Sequence, residues 1–190
     1  MKKIILASLS PRRKELLSAV GLKFEIHPSS FEEKETHISP ARLALHNAIG
    51  KANDIAEKHK NSIVIGVDTV VAYKKHIIGK PKNKQDAKRI LNLLNGTTHR
   101  VVSAICVIDT AENKMYTDTE VTYIEMDCIT EKEIAAYISH GEGADKAAGY
   151  AIQGIGGLFI KKIRGDYFNV VGLPMHKLKK ILEKAGVKII

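Results

Sequence analysis

The stretch SIVIGVDTVVAY, residues 62–73, restricts the fold more than any other part of the chain. It is an almost unbroken run of β-branched residues, which lose rotamer freedom in a helix and pack well on a pleated surface. Apolar residues on both alternations mean that both faces are buried, so this strand belongs in the middle of a covered sheet. One residue breaks the pattern. Asp68 lies inside the run, and a carboxylate buried without a partner is too costly to persist. It has to meet a cation, a metal ion or an open cleft at the sheet edge, either as a structural cap of a loop or as a catalytic base or metal ligand. Thr69 follows and points to the opposite face of the strand.

Around this strand, short elements alternate. KIILA (3–7) predicts a buried strand, because its apolar run is shorter than the ~7–15 residues of a signal-peptide core. KFEIHPS predicts another strand, YKKHIIG a hairpin return, and 99–109 and 114–126 two longer strands; GLFIKKI and DYFNVVG are also strand-like. Helices are predicted at 11–20, 40–59, 84–94, 130–138 and 174–185. The second carries Leu45, Ala48, Ile49, Ala52, Ile55 and Ala56 as one apolar stripe. Asn95-Gly96 closes the third, and Thr130 with Glu133 forms a capping box at the fourth. The loop 31–39 is polar, and 141–157 is rich in Gly and Ala. The strand pair interrupts a plain βαβ alternation. The expected class is α/β of mixed α+β character, a mixed sheet flanked by helices within one domain spanning 1–190.

The formal net charge of +9 permits nucleic-acid binding. However, the lysines are scattered, there is no basic tail, and the chain has no Trp and few aromatics on which bases could stack. A nucleic-acid polymer is therefore not the expected partner, and the lysines serve either as solvated helix faces or as a basic cleft for a polyphosphate. No apolar run reaches the ~18 residues of a membrane span. Cys106 and Cys128 lack any CxxC or metal spacing and read as reduced packing residues of a cytoplasmic protein.

The chemistry-bearing stretch nearest the start is SLSPRRKELL (8–17). Ser10 suits an N-cap and Pro11 the first helical position. Arg12 and Arg13 then occupy the first turn, where the helix dipole favours acids. Either both point into water or they face an oxyanion held at the helix N-terminus together with the serine hydroxyls. Lys80 lies between Gly79 and Pro81, which suits a phosphate contact, although no Walker A loop surrounds it. Lys51 lies at the edge of the second helix's stripe and is either a snorkelling surface lysine or part of the site. Glu32 and Glu33 offer a second carboxylate or are plain loop acids. In DKAAGYAIQGIGG (145–157), Gln153 stands among apolar and small residues. If buried it must be hydrogen-bonded, and an amide can read a base edge; the alternative is a structural Gly loop.

Together, LASLSPRRKELL (6–17), FEEK (31–34), IGVDTVV (65–71), GKP (79–81), DKAAGYAIQG (145–154) and GDYFNVVGLP (165–174) resemble the Maf family of nucleoside triphosphate pyrophosphatases. The motifs span essentially the whole chain in the family's order. The resemblance implies an ITPase-like fold, an elongated mixed sheet flanked by helices with two lobes around a cleft. It implies hydrolysis of a nucleoside triphosphate to the monophosphate and pyrophosphate with a divalent cation, Mg²⁺ or Mn²⁺. It also implies that Asp68 is the catalytic base, and that Arg12, Thr69 and Gln153 mark the subgroup acting on dTTP and UTP rather than its sister acting on 7-methyl-GTP. Ser8, Arg13, Lys51 and Lys80 match positions around the phosphates, and Glu33 and Asp68 positions around the metal. The implied partner is a small-molecule nucleotide, canonical or a modified pyrimidine, with no membrane and with a homodimer compatible. The family's name also admits a different role, a nucleotide-binding regulator of cell division or septum formation without significant turnover.

Overall fold

The structure is a computed structural model describing residues 2–33 and 39–189. Residues 34–38 of the polar loop, including Lys34 of the FEEK motif, lie outside the described residues. The strands are β1 (Lys3–Leu6), β2 (Glu25–Ile26), β3 (Ser62–Tyr73), β4 (His76–Ile78), β5 (Thr98–Asp109), β6 (Lys114–Met126) and β7 (Ile160–Arg164). The α-helices are α1 (Pro11–Ala19), α2 (Pro40–Ala56), α3 (Lys84–Leu94), α4 (Glu131–His140), α5 (Tyr167–Val171) and α6 (Met175–Lys184). The sheet is mixed, in the order β2-β1-β3-β5-β6-β7 with β4 beside β3. This is the α/β class that the alternation of elements predicts. The chain divides into two compact units, Met1–Thr69 with Ser103–Glu120 and Gly172–Ile190, and Val70–Val102 with Val121–Val171.

In the first unit β1 pairs in parallel with both β2 and β3. Ile63, Ile65 and Val67 of β3 share one core with Leu17 of α1, Ile105 and Val107 of β5, and Leu178 and Leu182 of α6. The alternate residues turn to the other face, as the period of two requires. There Gly66 lets α2 lie directly on the strand: a Cβ at this position would stand 2.3 Å from the Ala48 carbonyl oxygen and 2.8 Å from the Ala52 Cβ. The same contact brings α2 side chains beside Asp68.

The second unit packs α3 and α4 over Val71, Val101, Ile124 and Met126, with Leu91, Leu94, Ile134 and Tyr137 fully or almost fully buried. The predicted capping box of α4 is present, with Glu133 N donating to Thr130 Oγ1 (3.3 Å) and Thr130 N to Glu133 Oε2 (2.7 Å). His99 is buried and bonded through Nε2 to the Tyr150 hydroxyl at 2.6 Å. Burial pushes its imidazole from 6.5 down to about 4, because the charged form loses its water. The unfolded chain therefore takes up a proton below pH 6.5 that the folded chain refuses until about pH 4. The contribution is complete above the unfolded value and declines as pH falls through this window, by up to about 3 kcal/mol. Urea midpoints between pH 7 and 4.5 will fall less steeply for His99→Gln than for the wild type; equal slopes would rule this out.

Several expectations change. Of KFEIHPS only Glu25–Ile26 pairs, as an exposed strand. DYFNVVG is not a strand but contains α5: Asp166 Oδ1 accepts from Phe168 N (2.8 Å) at its start. The fully buried Asn169 donates to the Val101 carbonyl and Thr122 Oγ1, both at 3.0 Å. A local cap and a buried amide anchor here outweigh the β preference of two valines. The buried face of α2 is Leu43, Ala44, Asn47, Ala48, Ala52 and Ile55, rotated from the predicted stripe and without Leu45. Cys106 is buried, with its thiol pushed up to about 12, but Cys128 is exposed beyond the end of β6 and is not a core residue.

Candidate active site

Helix α1 starts at Pro11 after an extended Ser10, as its sequence predicts, yet the Ser10 side chain makes no capping bond. Instead Ser10 N donates to Ser8 Oγ (3.2 Å). The first turn contains no acid. Arg13 turns inward: its Nε donates to the Gly172 carbonyl (2.9 Å), Nη1 to Ser8 Oγ (3.0 Å) and Nη2 to Thr69 Oγ1 (3.2 Å). Thr69 Oγ1 is in turn 2.8 Å from Ser103 Oγ. Gly172 has φ +119, a backbone conformation that glycine adopts without strain, and this presents its carbonyl to Arg13. Burial draws the Arg13 pKa down from its ordinary value, while the charges of Asp68 and Glu33 act against that and Arg12 adds to it. Among the described residues the acceptors that bond the guanidinium are all neutral. The cation is fixed in place but not cancelled, and it keeps N–H donors for an anion.

On the other side of β3, Asp68 is received by α2. Asn47 Nδ2 donates to its Oδ2 (3.1 Å), and Lys51 Nζ to its Oδ1 (2.7 Å). Lys51 also pairs with Glu33 Oε1 at 2.6 Å. The side chains are 6% (Asp68), 12% (Lys51) and 57% (Glu33) exposed, so one ammonium links an enclosed carboxylate to an open one. Asp68 and Thr69, neighbours in sequence, thus feed two different clusters. The predicted split across the strand is what separates them. Asn47 was not anticipated; a polar residue one turn before Lys51 in an apolar helix was the available signal.

Glu33 and Asp68 converge on one cationic group. Such a pair fits a hard divalent cation that binds through one or two carboxylates and completes its shell with water and phosphate oxygens. Among the described residues no cluster of three His, Cys, Asp or Glu side chains provides an all-protein cage.

Arg12 is half-buried on α1. Lys80 and Gln153 belong to the second unit, and both are exposed. Gln153 is therefore not the buried amide considered above. Within that unit their loops meet, since Ala148 N donates to the Gly79 carbonyl at 3.0 Å. Ala148 holds φ +61, an unusual conformation for alanine, at this junction.

Comparison with known proteins agrees with the motifs. The chain is 45% identical over its whole length to a dTTP/UTP pyrophosphatase of Bacillus anthracis, covering 98% of it. It is 43% identical to a protein of the same name from Methanosarcina barkeri, covering 97% of that chain. Among solved structures, the Staphylococcus aureus Ham1 protein is 18% identical with a TM-score of 0.45, over 66% of this chain and 72% of that one. The family described as Maf-like protein matches residues 3–185. The chain thus belongs to the Maf-like protein family.

Proposed function

We propose that this protein hydrolyses dTTP and UTP, or modified pyrimidine nucleotides of the same shape, to the monophosphate and pyrophosphate. The observation that carries the reading is the enclosed Asp68 carboxylate, oriented by Asn47 and Lys51, one residue away from the Arg13 cluster. Arg13, with Arg12 beside it, receives the phosphate chain. These fixed charges favour the negative charge that builds up on the leaving pyrophosphate, the main source of rate in phosphoryl chemistry. Asp68 Oδ2 or Oδ1 accepts the proton of the attacking water. Lys51 bonds both the Asp68 carboxylate and Glu33 and so holds the two acids on one cationic group. Glu33 and Asp68 hold Mg²⁺ or Mn²⁺, which when bound supplies charge neutralisation at the phosphates. Arg12, Thr69 and Gln153 set the choice of base, and Lys80 contributes a further phosphate contact. The relatives' names support the substrate class. Such chemistry belongs in the cytoplasm, and among the described residues no helix is long and apolar enough to cross a membrane.

The test is a product assay over dTTP, UTP, CTP, GTP, ATP, ITP and 7-methyl-GTP with each metal. Monophosphate plus pyrophosphate, with dTTP and UTP leading, is expected. Orthophosphate as the product would mean cleavage at the terminal phosphate and a different reaction. Absence of turnover would favour the nucleotide-binding regulator.

Arg13→Lys gives a second expected result. An ammonium cannot reproduce three hydrogen bonds in one plane to Gly172, Ser8 and Thr69. kcat/KM for dTTP will fall by about 100-fold, the order seen when one fixed charge-stabilising donor is lost. Steady-state kinetics check this, with circular dichroism showing the fold intact.

A further inference from the structure

The loop that carries Gln153 is pinned on both sides by two residues to which nothing so far assigns a role. Two positions before Gln153, Ala151 N donates to the Tyr137 hydroxyl at 3.1 Å. Just after it, Ile155 N donates to Glu142 Oε1 (3.0 Å) and Gly156 N to Glu142 Oε2 (2.9 Å). One carboxylate thus takes two successive backbone donors, a charge-assisted fork. The chain is shaped to receive it. Gly154 has φ +110, and a Cβ there would lie 1.7 Å from Glu142 Oε1. A Cβ on Gly156 would lie 2.4 Å from the Ala151 carbonyl oxygen and 2.9 Å from the Tyr137 hydroxyl oxygen. Glu142 itself is fixed at the end of α4, next to the left-handed Gly141 that terminates the helix. The result is an exposed side chain, Gln153, on a backbone held at positions 151, 155 and 156.

A loop with so many small residues loses much entropy when it is ordered. Unpinned, it would present Gln153 in many orientations, and each would have to be lost on binding a base. The fork removes that loss in advance, which is how a flexible segment becomes selective. We infer that Glu142, assisted by Tyr137, is a positioning residue for base selection, acting through Gln153 and touching no substrate. This rests on the reading of Gln153 as a base-contacting residue.

The experiment compares Glu142→Gln, Gln153→Ala and the double variant on dTTP, UTP and CTP. Glutamine offers one acceptor where the carboxylate offers two, and it keeps the side chain's size. Glu142→Gln is expected to raise KM for dTTP about 10-fold and to lower the dTTP-over-CTP ratio of kcat/KM by a similar factor. kcat at saturation should change less than about 3-fold, which separates loss of positioning from general damage. Because Glu142 acts through Gln153, the double variant should discriminate no worse than Gln153→Ala alone. Unchanged KM and discrimination in Glu142→Gln, or equal loss of kcat on every nucleotide, would overturn the inference while Gln153→Ala still relaxes the ratio. If Gln153→Ala leaves the ratio unchanged, the underlying reading of Gln153 fails, and the inference with it. Should Glu142→Gln prove unstable, Tyr137→Phe, which removes the acceptor of Ala151 N, gives the same comparison.

Discussion

Asp68→Asn will yield a folded protein whose pyrophosphate release from dTTP is lower by about 10²–10⁴-fold, the range lost with a general base. The substitution keeps the shape of a side chain that is only 6% exposed. An amide oxygen can still accept from Lys51, and Lys51 keeps its pair with Glu33, so no cation is stranded. What disappears is the proton acceptor. Asn47 Nδ2 and Lys51 Nζ both donate, so when the new amide turns its oxygen to Lys51 its amino group meets Asn47, which must turn its own amide to offer its oxygen. Thermal melting should therefore show a modest change beside the kinetic one. Turnover within a few-fold of the wild type would remove Asp68 from the role of base. By contrast, Lys51→Met would leave the carboxylate enclosed without its cation, a far more destabilising change.

Gly66→Ala will damage both stability and turnover, though it adds a single methyl group. That methyl would stand 2.3 Å from the Ala48 carbonyl oxygen and 2.8 Å from Ala52 N. Both are backbone atoms of α2, so no rotamer change relieves the overlap; the helix must move off β3. Overpacking of this kind costs about 1–3 kcal/mol, and more where backbone resists. Helix α2 carries Asn47 and Lys51, so its retreat also detunes Asp68, and misplacement by ~1 Å can cost about 10²-fold in rate. Urea denaturation and kcat should fall together. Gly50→Ala is the internal contrast. Its methyl would meet the Phe31 ring at 2.4 Å, a side chain at the start of the Glu33 loop that can swing aside, so stability should suffer less. Equal stability of Gly66→Ala and wild type would mean that α2 does not depend on this contact.

These two positions show why the central strand was legible and its helix less so. A long β-branched run with one acid in it has few structural solutions, and β3 runs over Ser62–Tyr73 as read. The Arg12–Arg13 pair was legible because it breaks a rule of helix starts, and the structure turns Arg13 toward neutral acceptors rather than water. Asn47 was hidden because periodicity analysis treats Asn as polar surface, whereas here a hydrogen bond to Asp68 makes burial tolerable. The same polar residue, once counted as inward, rotates the α2 stripe onto Leu43 and Ala44 while keeping Ala48, Ala52 and Ile55. In α5 the deciding contacts, Asn169 to Val101 and Thr122, reach 68 and 47 positions along the chain and leave no local pattern. Glu142 was equally invisible, because its partners are backbone amides that any sequence possesses.

The neutral acceptors that bond Arg13 have a consequence for encounter as well as for chemistry. A guanidinium paired with a carboxylate presents a dipole to its surroundings, and its influence fades within a short distance. A guanidinium held by a carbonyl and two hydroxyls has no counter-charge bonded to it, and the part of its field that Asp68 and Glu33 leave reaches as far as salt allows, roughly 8 Å at physiological ionic strength. On a chain of net charge +9, that field adds to a general attraction for polyanions and gives the attraction a direction. The same hydrogen bonds that fix the cation thus let it gather its anion from solution, with a capture rate that slackens as salt rises.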